Sequence, residues 1–241
     1  MKDPCIHFDN VRKKYGTQDV LRGVELTLQQ GEFLGLVGIN GAGKTTLIKC
    51  LLDLAGLDSG SINISGLPHT RTGARSGLAF LPERFMPPYY LSGRDFLAYM
   101  AAMHGVAVDN DRLDAILATL DFNTGYLDKP VRLLSKGMSQ KLGLAACFLS
   151  DKKLFILDEP MSGLDPTARA YLKRYLIELK QAGKTVFFST HLLTDVEALC
   201  DRVAILHDGV IKFAGTPADC CATYHTGDFE SAYLACVNGE E

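Results

Sequence analysis

The sequence predicts an α/β protein built on a mainly parallel β-sheet, with an antiparallel β segment near its N-terminal end and an inserted run of helices. Three observations carry this. Short continuous apolar runs at Phe33 to Val37, Leu154 to Leu157, Thr185 to Phe188 and Val203 to Leu206 adjoin helical patterns, as strands buried on both faces do. Apolar residues at every second position, namely Ile6 and Phe8, then Val24, Leu26 and Leu28, then Ile62 and Ile64, mark strands with one buried face. The stretch from about 87 to 150 lacks that alternation and carries helical stripes instead.

Taken in order, the alternating strands of the first segment come first, and the buried strand Phe33-Leu34-Gly35-Leu36-Val37 follows them. After a glycine-rich loop, Leu47, Ile48, Leu51 and Leu52 fall on one face of a helix. In the middle stretch Leu113, Ile116, Leu117 and Leu120 form a second stripe. Asp165-Pro166 reads as a helix start, because proline tolerates the first turn, and Ala168, Leu172, Tyr175, Leu176 and Leu179 continue it with a 3.6-residue period. Gly183 ends it. The tail from Ala218 to Glu241 is expected to hold a short helix around Phe229, Tyr233 and Leu234, with a frayed acidic end. The expected organisation is a single domain over 1–241. Approximately 1–86 and 151–217 form the core, 87–150 a helical lobe and 218–241 the tail. No heptad run, internal repeat or low-complexity linker interrupts it.

Composition narrows the function. With 241 residues, 47% hydrophobic, the chain can bury a sizeable core, and a net charge of −3 without a basic block argues against nucleic acid as a main partner. No uncharged apolar stretch approaches the roughly 18 residues of a membrane span, and Met1-Lys2-Asp3-Pro4 opens no signal peptide, so a cytoplasmic protein is expected. Its seven cysteines, an odd count without C-x-x-C spacing, read as reduced thiols rather than a zinc site, Cys220, Cys221 and His225 included.

The chemistry starts at Gly38-Ile39-Asn40-Gly41-Ala42-Gly43-Lys44-Thr45, which fits G-x-x-x-x-G-K-[ST]. Glycines let such a loop turn its N–H groups toward phosphates, at a helix N-terminus that favours negative charge. Lys44 neutralises phosphate charge and Thr45 offers a hydroxyl to Mg²⁺. Asp158 ends the apolar run from Leu154, which brings a carboxylate to the sheet's C-terminal edge beside that metal, and Glu159 is left to orient or deprotonate water. His191 follows the Thr185 to Phe188 strand; taken alone it fits a structural histidine better, and only its spacing after Asp158 turns the reading toward a phosphate contact.

Together these segments resemble the ATP-binding subunits of ABC transporters, over almost the whole chain. Leu134-Ser135-Lys136-Gly137-Met138 is similar to that family's LSGGQ signature, departing at Lys136 and Met138. Leu154 to Asp158 resembles Walker B, Ser162-Gly163-Leu164-Asp165 the D-loop, and Ser189-Thr190-His191 the switch-histidine segment. In Leu81-Pro82-Glu83 the Q-loop glutamine is replaced by Glu83, as in exporter-like, ABC-2-type members. The resemblance implies a P-loop NTPase fold of the ABC cassette type. It also implies ATP and Mg²⁺ as ligands, with Glu159, His191, Lys44 and Glu83 catalytic and Thr45, Asp158 and Glu83 at the metal. Implied nucleotide contacts are Tyr15, Val20, Gly38, Asn40, Gly41, Ala42, Gly43, Lys44, Thr45, Thr46, Ser135, Gly137 and Asp165. Tyr15 would stack on adenine, although a strand-edge aromatic looks the same in sequence.

The helix expected near Ser139 would aim its N-terminal dipole away from its own phosphate loop, so Ser135 and Gly137 are expected to serve the ATP of a second subunit. Ser135 equally fits a plain helix N-cap. The implied assembly is a head-to-tail homodimer, or a heterodimer with a second ATPase subunit, peripheral on the cytoplasmic face and bound to a separate transmembrane permease. Export is the favoured direction. The uncharged cluster Phe85-Met86-Pro87-Pro88-Tyr89-Tyr90 is the expected docking surface, unless it packs the junction of core and lobe. The alternative is a soluble ABC-type ATPase acting on a ribosome or DNA, disfavoured by the single cassette and missing basic tract.

Overall fold

The structure is a computed structural model that describes residues 4–239. Strands β1 (Ile6–Tyr15) and β2 (Gln18–Leu28) form a hairpin, and after β3 (Phe33–Val37) and helix α1 (Lys44–Leu51) the strands β4 (Ser59–Ile64) and β5 (Leu67–Pro68) return to it. The result is an antiparallel sheet in the order β2-β1-β4-β5. Its register explains the alternation in the sequence: Ile6 lies between Leu28 and Ile64, and Phe8 between Leu26 and Ile62, all buried on one face.

Next come β6 (Leu78–Leu81), α2 (Gly93–Met103), α3 (Asn110–Thr119) and α4 (Lys136–Leu149), then β7 (Leu154–Asp158), α5 (Pro166–Gln181) and β8 (Thr185–Thr190). The chain closes with α6 (Leu193–Leu199), β9 (Arg202–His207), β10 (Val210–Gly215), α7 (Pro217–Thr223) and α8 (Phe229–Asn238). The second sheet runs β10-β9-β3-β8-β7-β6, parallel throughout except for β10. This is the α/β architecture with a mainly parallel core and an antiparallel N-terminal sheet that the sequence predicts.

The continuous apolar runs follow from this sheet having two dry faces. Leu34, Leu36, Leu154, Ile156 and Phe187 point into a core shared with α1 and the antiparallel sheet. Their neighbours Phe33, Phe155, Leu157, Val186 and Phe188 point the other way, into a core shared with α2 to α5. A strand sends successive side chains to opposite faces, so both must be apolar, and each fully buried Phe or Leu contributes about 1.5–3 kcal/mol. Helices α2 to α4 thus pack on the parallel sheet and have no separate core of their own.

Four features differ from the sequence reading or go beyond it. Strands β6 and β10 lie at the sheet edges, where short or half-exposed runs give weak patterns. Helix α4 begins at Lys136, three residues before the expected Ser139, because the Ser135 hydroxyl accepts the Met138 N–H at 3.2 Å and caps it there. Helix α7 carries a reciprocal capping box between Thr216 and Asp219. In α8 the inward face is Phe229, Ala232, Ala235 and Cys236, while Leu234 is exposed. Glu240 and Glu241, the end expected to fray, and Met1-Lys2-Asp3 lie outside the described residues.

Candidate active site

Four strands of the parallel sheet end at one cleft of about 550 Å³. The loop after β3 supplies Ile39, Asn40, Gly41 and Gly43, and the first turn of α1 adds Lys44, Thr45 and Thr46. Glu83 follows β6, Glu159 and Ser162 follow β7, and His191 follows β8, with Val20 of β2 closing one side. Such a crevice outside the carboxyl ends of parallel strands is where open α/β sheets hold ligands.

The loop's glycines are used where the backbone demands them. Gly43 has φ +108°, and a Cβ there would sit 3.1 Å from the Val20 carbonyl oxygen and 3.0 Å from Leu21 Cδ2. Lys44 is nearly buried, its Nζ donating to the Gly38 and Ile39 carbonyls at 2.6 and 3.3 Å and lying 3.6 Å from Glu159 Oε1. Its ammonium therefore holds the loop closed while facing the cleft's carboxylates.

On the opposite wall Asp158 stands directly across the sheet from Ser189. The Ser189 hydroxyl donates to Asp158 Oδ1 at 2.5 Å and itself accepts the Glu159 N–H at 2.9 Å. Burial pushes the Asp158 carboxyl above the usual carboxylate range; hydrogen bonds from Ser189 and Thr45 oppose this, and the neighbouring charges of Glu83 and Glu159 reinforce it. Glu159 has φ +50°, in the left-handed region that a residue with a side chain enters at a cost. That turn aims its carboxylate between Lys44 and His191, whose Nδ1 lies 2.9 Å from Oε2.

The donor set suits a hard divalent cation such as Mg²⁺. A buried carboxylate hydrogen-bonded to a threonine hydroxyl offers oxygen ligands, and a cation held there would offset the negative charge gathered around Asp158. Among the described residues no three His, Cys, Asp or Glu side chains form a ready metal cage.

The sequence profile of the ABC transporter family matches residues 21–162, from β2 through the turn after β7. The chain belongs to the ABC transporter family. It is 39% identical over 217 residues to the ABC transporter ATP-binding protein YdbJ of Bacillus subtilis, covering 88% of this chain and 69% of that one. It is 35% identical over 219 residues to the Nod factor export ATP-binding protein I of Sinorhizobium fredii, covering 89% and 64%. The chain thus spans about two thirds of the length of these two relatives. A solved ATP-binding subunit of an ABC transporter superposes with a TM-score of 0.88 at 29% identity, covering 96% of this chain and 99% of its own. This chain is accordingly an ATP-binding subunit of the transporter ATPases, and no helix among its described residues is long and apolar enough to cross a membrane.

The ABC fold gathers some of the residues named from sequence and separates others. Val20, Asn40, Gly41, Gly43, Lys44, Thr45, Thr46, Glu83, Glu159 and His191 share the cleft. Asp158 lies beneath it, fully buried. Gly38 and Ala42 shape the loop from behind, since a Cβ on Gly38 would lie 2.4 Å from the Leu206 carbonyl oxygen. Tyr15 is half exposed near the hairpin tip with Lys13 over its ring, Asp165 caps α5 through the Ala168 N–H, and Ser135 caps α4; none of the three lines the cleft. Gly137 is away from it too, packed on the D-loop, where a Cβ would meet the Gly163 carbonyl oxygen at 2.8 Å. Sequence reasoning names Ser162 and Ser189 only as members of the D-loop and switch-histidine segments and gives neither a role of its own. The sheet register that sets Ser189 opposite Asp158 is what reveals its part, since a buried hydroxyl there has to be hydrogen-bonded.

Proposed function

We propose that this ABC subunit hydrolyses ATP with Mg²⁺ and thereby drives a separate transmembrane partner. The observation that carries the reading is Glu159, presented to the cleft between Lys44 and His191 while Asp158 is buried and held by Ser189. Two adjacent carboxylates thus have two environments, and two environments suit two roles. Asp158 and Thr45 would hold the metal, with Glu83 within electrostatic reach of Asp158. Mg²⁺, when bound, offsets phosphate charge as it develops. Lys44 exchanges its loop carbonyls for phosphate oxygens, Glu159 takes a proton from water, and His191 steadies Glu159 and meets the terminal phosphate.

Residues 87–150 serve in this reading as the helical signature subdomain, and Ser135 and Gly137 complete the site of a second subunit. Met86, Tyr89 and Tyr90 are 85%, 68% and 68% exposed and form the face offered to the membrane partner. Phe85 of the same cluster instead packs on Phe96, with ring centroids 5.5 Å apart, and belongs to the junction with the helices. Export is the direction we favour, from Glu83 in the Q-loop position and from the export system to which one relative belongs. The test is MgATP turnover of the purified chain against Glu159→Gln. We expect nucleotide binding to persist and turnover to fall by about 10²- to 10⁴-fold; wild-type turnover in the variant would remove Glu159 from the role of base.

A further inference from the structure

Lys136 is where the signature segment departs most visibly from LSGGQ, and its side chain does not reach outward. Its Nζ donates to Ser162 Oγ at 3.3 Å, and its methylene stem crosses Gly163, where a Cβ would meet Lys136 carbons at 3.1–3.2 Å. Gly163 leaves that space open, with φ +76°. One helical turn further along the same face of α4, the buried Gln140 donates through Nε2 to the Pro160 carbonyl at 3.2 Å. Ser162 in turn donates its N–H to the Glu159 carbonyl at 3.0 Å, closing the turn that holds Glu159 at positive φ. Two side chains of the signature helix therefore grip, from below, the four-residue turn whose first member faces the cleft.

We infer that Lys136 and Gln140 are positioning residues for Glu159 of their own chain: the signature helix fixes the turn 159–162, so displacement of the N-terminus of α4 is felt at Glu159. Lys136 is solvent-exposed, so its contact with Ser162 adds little to stability. Its consequence is geometric, because a base displaced by a fraction of an ångström loses its alignment with water. The signature segment then has two duties, one facing outward through Ser135 and one facing inward through Lys136. The inference rests on the ATPase reading above for its catalytic consequence, though not for the physical tie.

Lys136→Met keeps the stem over Gly163 and removes the donor. We expect kcat for MgATP hydrolysis to fall about three- to tenfold with KM changed by less than about twofold. Lys136→Arg should restore most of the rate. Ser162→Ala should reproduce the loss, and the double variant should be no slower than either single one, since both break one link. A role of Lys136 on a neighbouring subunit would instead multiply with Ser162→Ala. Hydrogen exchange on the nucleotide-free protein tests the tie without turnover: amides of 159–165 should exchange faster in Lys136→Met, and those of 44–52 should not change. Unaltered exchange over 159–165, an unaltered kcat, or multiplying losses each overturn the inference. A wild-type chain that hydrolyses no ATP defeats the ATPase reading instead, and exchange still decides the tie.

Discussion

The two phosphate-directed segments of this chain are built in opposite ways. Around the phosphate loop the key charged groups are engaged within the chain: Lys44 is held by loop carbonyls and Glu159, Asp158 by Ser189, and Glu159 by His191. At the signature segment Ser135 is exposed, caps its own helix and touches none of the cleft. Burial explains the contrast. The first segment sits at the ends of strands covered on both faces, where a polar group must find a partner, whereas the second is the open end of a helix, where solvent or another molecule can supply one. A closed half beside an open one suits the two-subunit site proposed above.

The comparison breaks most sharply at Ser135. Aspartate is as good an N-cap as serine, so Ser135→Asp should leave melting unchanged while placing a negative charge where the proposed dimer would bring the phosphates of a second subunit. We expect loss of the ATP-dependent dimer in sedimentation and a fall in turnover of about a hundredfold. A variant that dimerises and turns over normally would reduce Ser135 to its cap. On the closed side, Ser189→Ala leaves the buried Asp158 carboxylate without its 2.5 Å donor and the Glu159 N–H without its acceptor. Stability should drop by about 2 kcal/mol, read by urea denaturation, with roughly tenfold slower turnover. Unchanged stability would show that Ser189 is a spectator.

The smallest effect concerns the anchored end of α4. Asp151, just beyond it, meets Arg112 of α3 at 3.3 Å and Lys184 at 3.1 Å. The Lys184 hydrogen bond, chiefly, holds its carboxyl below the usual range. A carboxyl depressed in the folded state contributes stability above its unfolded pKa of about 3.9 and loses that contribution as pH falls through the lower folded value. Asp151→Asn should therefore make the acid-side decline of melting temperature below about pH 4 slightly shallower, leaving turnover at neutral pH untouched. An identical acid limb would mean that the pair is too well solvated to count.

Much of the fold and of the candidate site is legible in the order of residues alone, and for a physical reason. The phosphate loop, the carboxylate pair at the end of Leu154 to Asp158 and the alternation of Ile6, Phe8, Ile62 and Ile64 are local patterns, imposed by backbone sterics and by which face of a strand is dry. Strands β6 and β10, the start of α4 and the inward face of α8 are less legible, since edge strands and helix ends obey weaker local constraints than buried centres. The apolar cluster 85–90 divides in a way that composition could not anticipate, with Phe85 inside and Tyr89 and Tyr90 outside.

By itself, the sequence determined the chemistry available to this protein: the types and order of its phosphate, metal and proton-handling groups, and the strands and helices that bear them. Only the tertiary structure decided which of those groups meet. Ser189 is 31 residues from Asp158, Lys136 is 26 from Ser162, and Gln140 is 20 from Pro160, and each pair is joined by one hydrogen bond. Such contacts depend on sheet register and on how a helix seats against a turn. Both are set by the packing of three cores built from distant parts of the chain, and no window of neighbouring residues contains that information.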